Sequence, residues 1–167
     1  YYNPMGGYTL GQVWCDPNNP DPKKADFPVG TVITKLVFTM ADTAEVEFLK
    51  GSMQWEVFAE KLAELPVDEK EIHLARLMEV DFAVRTNQKD AVNGWVHGVY
   101  VYNGRLSGKT TKSRLVPVGL QWGNDPGITP KMVREGTAPL NQTWLNTNAW
   151  NQDDPNKAIL QQPGWGY

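Results

Sequence analysis

From Glu71 to Arg85 the chain alternates apolar and polar side chains over its longest such run, and this run limits the fold more than any other stretch. Ile72, Leu74, Met78, Val80, Phe82 and Val84 share one register, while Glu71, His73, Glu79, Asp81 and Arg85 fall largely in the other. Successive side chains of a strand point to opposite faces, so a period of two predicts a long strand with one core face and one polar face. Arg76 stands in the apolar register. Either a bulge shifts the phase there, or its guanidinium is buried against a carboxylate. Glu79 and Asp81 are a same-face carboxylate pair of the kind used in acid and base chemistry, but a solvated face with ion pairing to Arg76 or Arg85 is the commoner reason for such a pair and needs no catalytic explanation.

The next strand, Trp95 to Tyr102, is apolar on both sides. Trp95, His97, Val99 and Val101 share one face, and Val96, Tyr100 and Tyr102 share the other with Gly98. Such a strand belongs in the middle of a sheet or under cover on both sides. Asn103-Gly104 gives a turn, and after a polar loop Leu115 to Trp122 returns with Val116, Val118, Leu120 and Trp122 on one face. Pro117 lacks an N–H and marks an edge or a bulge. Asn124-Asp125-Pro126-Gly127 then closes the segment with a turn. Thr31 to Thr39 supplies a further strand by its β-branched and aromatic content. Two short helices are expected near 43–65. Asp42 with Glu45 resembles a capping pair ahead of Gly51, and Trp55, Phe58, Ala59 and Leu62 recur at helical spacing from about Ser52 to Leu65, with Trp55 and Phe58 in the core.

Residues 1–30 are rich in Pro, Gly, Asn and Asp and are expected to form an irregular N-terminal arm. Asp16, Asn18, Asn19 and Asp21 lack the central Gly and distal Glu of a calcium loop and read as turn formers. Residues 128–167 show little periodicity and predict an irregular tail anchored on the core by Trp144, Trp150 and Trp165. The expectation is one domain over 1–167, with its β core at 31–127. Its class is mainly β, an antiparallel β-sandwich or open barrel with two short helices and a long irregular aromatic C-terminal segment.

Composition removes several functions. At 167 residues, with 41% hydrophobic and 21% charged side chains, the chain has ordinary globular usage for about one domain. A net charge of -3 provides no basic face for displacing counterions from nucleic acid. No stretch approaches the roughly 20 apolar residues of a membrane helix. A start at Tyr1 rather than Met is expected of a processed or excerpted product, and an exported, periplasmic or secreted location fits that start. The single Cys15 allows neither an internal disulfide nor a Cys-only metal site, and its acidic surroundings disfavour the thiolate. Asn141-Gln142-Thr143 fits a glycosylation sequon, a pattern that recurs by chance.

There is no HExxH, GxSxG, phosphate loop or GxGxxG. His97, among aromatic neighbours on an apolar strand face, is the best candidate for a ligand to a metal or haem iron, or for a proton carrier, with His73 as a second ligand; a hydrogen-bonded structural histidine is the commoner use of such a residue. The other candidate ligand-binding residues are Trp95, Arg76, Asp81, Trp122 and Asp125. Trp14, Trp95, Trp122, Trp144, Trp150 and Trp165 would stack on sugar rings if a β domain displayed them to solvent.

Phe27-Pro28-Val29-Gly30-Thr31-Val32, Gly94-Trp95-Val96, Arg114-Leu115-Val116-Pro117-Val118-Gly119, Trp122-Gly123-Asn124-Asp125-Pro126, Thr143-Trp144-Leu145-Asn146 and Gly164-Trp165-Gly166 span most of the chain. Together they resemble an uncharacterised family of exported bacterial proteins whose β domain precedes a CxxCH haem c attachment motif. The start of the first strand also looks somewhat like the small β-sheet cytochromes of the cytochrome c prime beta type. This chain has no CxxCH, so covalent haem c attachment through that motif does not carry over. It ends at Tyr167 where that family continues into Gly-Arg-Leu, His97 replaces an expected aromatic residue, and Cys15 replaces a small one. The resemblance implies an exported, non-catalytic binding or assembly domain associated with haem c or electron-transfer proteins, with a haem c domain or another protein subunit as partner. A redox enzyme holding non-covalent haem or a metal at His97, and a glycan-binding module using exposed tryptophans, are the alternatives.

Overall fold

The computed structural model describes residues 1–58 and 72–150. The fold is mainly antiparallel β, as the alternation predicts: among the described residues six strands form one open sheet in the order β1-β3-β4-β5-β6, with β2 also paired to β3. The strands are β1 (Val32–Thr39), β2 (Gln54–Phe58), β3 (Ile72–Arg85), β4 (Trp95–Tyr102), β5 (Leu115–Gln121) and β6 (Thr143–Leu145). Three short helices accompany them, α1 (Pro4–Val13), α2 (Pro130–Arg134) and α3 (Thr147–Trp150). Among the described residues no helix is long and apolar enough to cross a membrane.

The chain clusters into two compact units. One comprises Tyr1–Lys35, Asp81–Val99 and Val118–Leu145; the other comprises Leu36–Val80, Tyr100–Pro117 and Asn146–Tyr167. In the second unit, Val46, Phe48, Leu49, Ala75, Leu77, Val101, Tyr102 and Ala149 are the buried apolar residues. This places Ala75 and Leu77, not the predicted Ile72 and Leu74, in the core; Ile72 and Leu74 are exposed. The alternation located the strand, but over this part of β3 the apolar residues of the nominally polar register, Ala75 and Leu77, are the buried ones. Arg76 is half-buried and donates through Nη1 to the Ala41 carbonyl at 3.1 Å; after the Glu45 and Ala44 N–H groups, its charge also helps hold the neighbouring Asp42 carboxyl below its ordinary value.

The predicted helix over about 52–65 is a correction. Gln54–Phe58 is a strand, paired antiparallel to β3 with Trp55 opposite Ala75 and Val57 opposite His73. Trp55 is exposed and meets Phe38 edge-on at 4.6 Å between ring centroids, so it lies on the surface rather than in the core. The remainder of that expectation lies outside the described residues. The Asp42 capping pair forms as read: Asp42 Oδ1 accepts from the Glu45 N–H at 2.9 Å, and Glu45 Oε2 accepts from the Asp42 N–H at 3.2 Å. It closes a turn rather than a helix, and a single 3-10 turn at Glu47–Leu49 follows.

In the first unit the N-terminal arm is partly helical. Asn3 caps α1 by accepting from the Gly6 N–H at 3.2 Å, and Pro4 occupies the first turn, where its missing N–H costs nothing. Residues 1–3 run along β1: Tyr2 bridges Ile33 in antiparallel fashion, and the Thr34 N–H donates to the Tyr1 carbonyl at 2.8 Å. That pairing satisfies backbone groups on a strand at one end of the sheet order. The predicted irregular tail contains α2, β6 and α3 before residue 151, and the rest of it lies outside the described residues. Pro117 falls beyond the β5–β6 pairing, which begins at Gly119, and Asn146 Nδ2 donates to its carbonyl at 2.7 Å.

Candidate functional site

Two strands of the first unit present His97 to solvent. Along β4, Gly98 faces Phe82 and Leu120, since a Cβ at Gly98 would meet Phe82 Cε1 at 2.6 Å and Leu120 Cδ2 at 2.7 Å. Alternation then sends His97 to the opposite face, together with Asp81 of β3 and with Gly119 and Gln121 of β5. β6 extends this face. Gly119 pairs with Leu145 and Gln121 with Thr143, and paired residues of antiparallel strands share a side.

The outcome is an open depression of about 420 Å³ whose polar side chains are those of Asp81, His97, Gln121 and Thr143 and whose lining is otherwise apolar, with Phe82, Gly98, Leu120 and Leu145 contributing. Gly119 leaves its floor free of a side chain; a Cβ there would meet the Trp144 carbonyl oxygen at 3.0 Å and Leu145 Cδ2 at 3.3 Å. His97 and Gln121 are exposed, and Asp81 is half-buried and ion-paired with Lys35 at 3.3 Å. The ion pair expected for Asp81 therefore forms with Lys35 rather than with Arg76 or Arg85. An imidazole, a carboxylate and an amide thus edge a mostly apolar depression, offering donors and acceptors beside an apolar patch.

A second assembly holds β6 in place. Asp125 is only 8% exposed and has φ +39°, the left-handed region that residues other than glycine seldom adopt. Its Oδ1 accepts from the Asn141 N–H at 2.7 Å and the Gln142 N–H at 2.9 Å. In return, Gln142 Oε1 accepts from the N–H groups of Asn124 at 3.1 Å and Asp125 at 3.2 Å. The nearby Thr143 hydroxyl, followed by the Asn141 and Gln142 amides, holds the Asp125 carboxyl below its ordinary value, while burial opposes them. Asp125 Oδ2 is buried without a hydrogen bond. Asp125 is a clasp on the segment that starts β6.

The chain matches no family model, no curated protein and no solved structure. Assignment of the site therefore rests on its geometry.

Of the residues singled out in the sequence, His97 and Asp81 line the same depression, and Asp125 positions its β6 wall. Trp95 is half-buried, with the Phe27 ring edge-on at 5.8 Å and Arg85 Cζ at 5.9 Å from its own centroid. Trp122 is half-buried beside Val96 and Ala91 in a smaller depression, and its Nε1 is buried without a partner. Arg76 and His73 belong to the other unit; His73 is half-buried on β3 opposite Val57, with Nε2 buried and unpartnered. Among the described residues no three His, Cys, Asp or Glu side chains converge as a metal-binding group. Haem ligation at His97 would place the macrocycle on an open sheet face rather than in the enclosed apolar pocket that sets a haem's chemistry, so the residues present do not fit that group. Trp14 and Trp144 are exposed, whereas Trp165 and the Trp150 side chain lie outside the description. Cys15 is an exposed free thiol.

Sequence reasoning missed Gly119, Gln121, Thr143 and Leu145. An isolated glycine inside a strand pattern is a signal for close approach by a ligand or another backbone, and Gly119 carried it. Nothing local marks Thr143 and Leu145, which join the face only through pairing with β5.

Proposed function

We propose that this chain is a non-catalytic binding or assembly domain whose partner docks on the face carrying His97. The observation behind this reading is the open depression at Gly119, a mostly apolar surface edged by the polar side chains of Asp81, His97 and Gln121. A shallow site of this kind suits recognition of another protein surface better than enclosure of a reacting substrate, which calls for a concave, water-excluding pocket. The resemblance of the Phe27–Val32, Arg114–Gly119 and Trp122–Pro126 segments to exported haem c proteins supplies the partner class: a haem c domain or another electron-transfer subunit, met outside the cytoplasm.

The test is a titration of isotopically labelled protein with a purified single-haem c-type cytochrome, followed by backbone amide NMR. Shifts concentrated at Asp81, His97, Gly119, Gln121 and Thr143 support the proposal, and their loss in His97→Ala locates it. Shifts confined to other residues, or none at millimolar cytochrome, refute this docking face. A Soret band with stoichiometric iron in protein isolated from its natural source would instead favour the redox reading.

Exposed Trp14 and Trp144 favour glycan binding as a second reading. Retention on immobilised polysaccharide that Trp144→Ala abolishes would support it.

A further inference from the structure

The chain contains two Asn-Gly pairs in turns beside β4, Asn93-Gly94 ahead of it and Asn103-Gly104 behind it. We propose that Asn93 is a site of spontaneous deamidation and isoaspartate formation, whereas Asn103 is protected by the fold. In this reaction the deprotonated backbone nitrogen of the following glycine attacks the asparagine Cγ. A succinimide ring forms and the side-chain nitrogen leaves as ammonia. Water then opens the ring at either carbonyl, giving aspartate or isoaspartate, the latter with an extra methylene in the main chain. No oxidant or enzyme is required.

Glycine after asparagine removes the Cβ that would block ring closure, so both pairs qualify chemically. The structure separates them. Asn93 is exposed, and its side-chain amide makes no hydrogen bond to the described residues. The Gly94 N–H donates to the Ala91 carbonyl at 2.8 Å and the Gly94 carbonyl accepts from the Thr86 N–H at 2.8 Å, so the first of these bonds must open locally for the nitrogen to react. Asn103 is fully buried, and its Oδ1 accepts from the Arg105 N–H at 3.0 Å. The Gly104 N–H donates to the Phe48 carbonyl at 2.6 Å. Freeing Asn103 requires a core opening, whereas Asn93 is already exposed and needs only a local opening at Gly94.

Conversion at Asn93 also reaches the start of β4. The Asn93 carbonyl accepts from Arg85 Nη1 at 2.9 Å, and the same guanidinium lies near the Trp95 ring. An added methylene displaces that carbonyl and loosens the clasp over Trp95, two residues before His97.

The experiment is prolonged incubation of the folded full chain in mildly alkaline buffer, with isoaspartate located by peptide fragmentation. The expected result is product at residue 93 at least roughly ten-fold faster than at residue 103, with the difference abolished in denaturant. Tryptophan fluorescence should shift in step with product, and Asn93→Gln should remove both signals. Equal rates at the two sites in the folded protein would overturn the proposal. So would an Asn93 that stays unmodified while a free peptide of the same local sequence converts.

Discussion

Gly98→Ala tests the facing of β4 on which the site depends. The new Cβ would lie 2.6 Å from Phe82 Cε1 and 2.7 Å from Leu120 Cδ2, and closer still to Phe82 Cζ. Carbon atoms prefer about 3.5–4.0 Å, so the ring must retreat by roughly 1 Å. Both obstacles are the ends of half-buried side chains rather than backbone, which places the cost in the usual overpacking range of about 1–3 kcal/mol. Gly98 does not have a positive φ, so alanine also returns about 0.4–1 kcal/mol by restricting the unfolded chain. The expected net loss is about 1–2 kcal/mol, read as a lower urea midpoint at unchanged slope. In a Phe82→Ala background most of the clash is gone, and Gly98→Ala should become neutral or slightly stabilising, a coupling of about 1–2 kcal/mol between the two positions. A Gly98→Ala cost that is the same with and without Phe82 would refute the assigned facing, and with it the presentation of His97.

His97→Ala should change stability by no more than about 0.5 kcal/mol, because the imidazole is exposed, yet weaken the cytochrome complex in the NMR titration. Tyr102→Phe should cost about 1 kcal/mol in urea unfolding, since the fully buried ring loses the hydroxyl that donates to the Lys50 carbonyl at 3.2 Å and accepts from Arg114 Nη1 at 3.1 Å. The Asp125 carboxyl has a folded pKa below its ordinary value of 3.8, so its contribution is complete above that pH and disappears as pH falls through the folded value. Asp125→Asn should therefore lower Tm at neutral pH and make the Tm profile flatter below pH 3.8, as followed by circular dichroism.

The long strands were legible because period two persists over enough residues to exclude a helix. The bounds read for β4 match those observed, and those for β3 and β5 agree within a residue. β2 was not, because Gln54-Trp55-Glu56-Val57-Phe58 alternates as well as it fits a helical stripe, and only pairing with β3 decides between them. α1 escaped notice since Gly6, Gly7 and Gly11 give it poor helix propensity. Its support is the local Asn3 cap together with the tertiary packing of a buried Gly6, where a Cβ would meet Thr31 Cγ2 at 3.1 Å. Within the site, His97 and Asp81 stood out by type and register. Gly119 and the β6 residues gain significance only from strand order, which a local pattern does not encode.

The β5–β6 register connects the Asp125 clasp to the site. Side chains alternate along β6, so a slip of one residue would put Trp144 on the His97 face and remove Thr143 and Leu145 from it. Only three residue pairs join these strands, too few to fix the register strongly by themselves. The reciprocal bonds between Asn124-Asp125 and Asn141-Gln142 fix it from one end, immediately before Thr143. Asp125→Ala deletes the Oδ1 acceptor and leaves the Asn141 and Gln142 N–H groups without that partner. The expected result is loss or broadening of the Leu120–Trp144 cross-strand contacts in nuclear Overhauser spectra, with the Phe27–Trp95 contact preserved. Partner affinity should fall although no residue lining the depression except the β6 wall has moved. If those cross-strand contacts and the affinity both survive in Asp125→Ala, β6 holds its register unaided and Asp125 has no part in building the site.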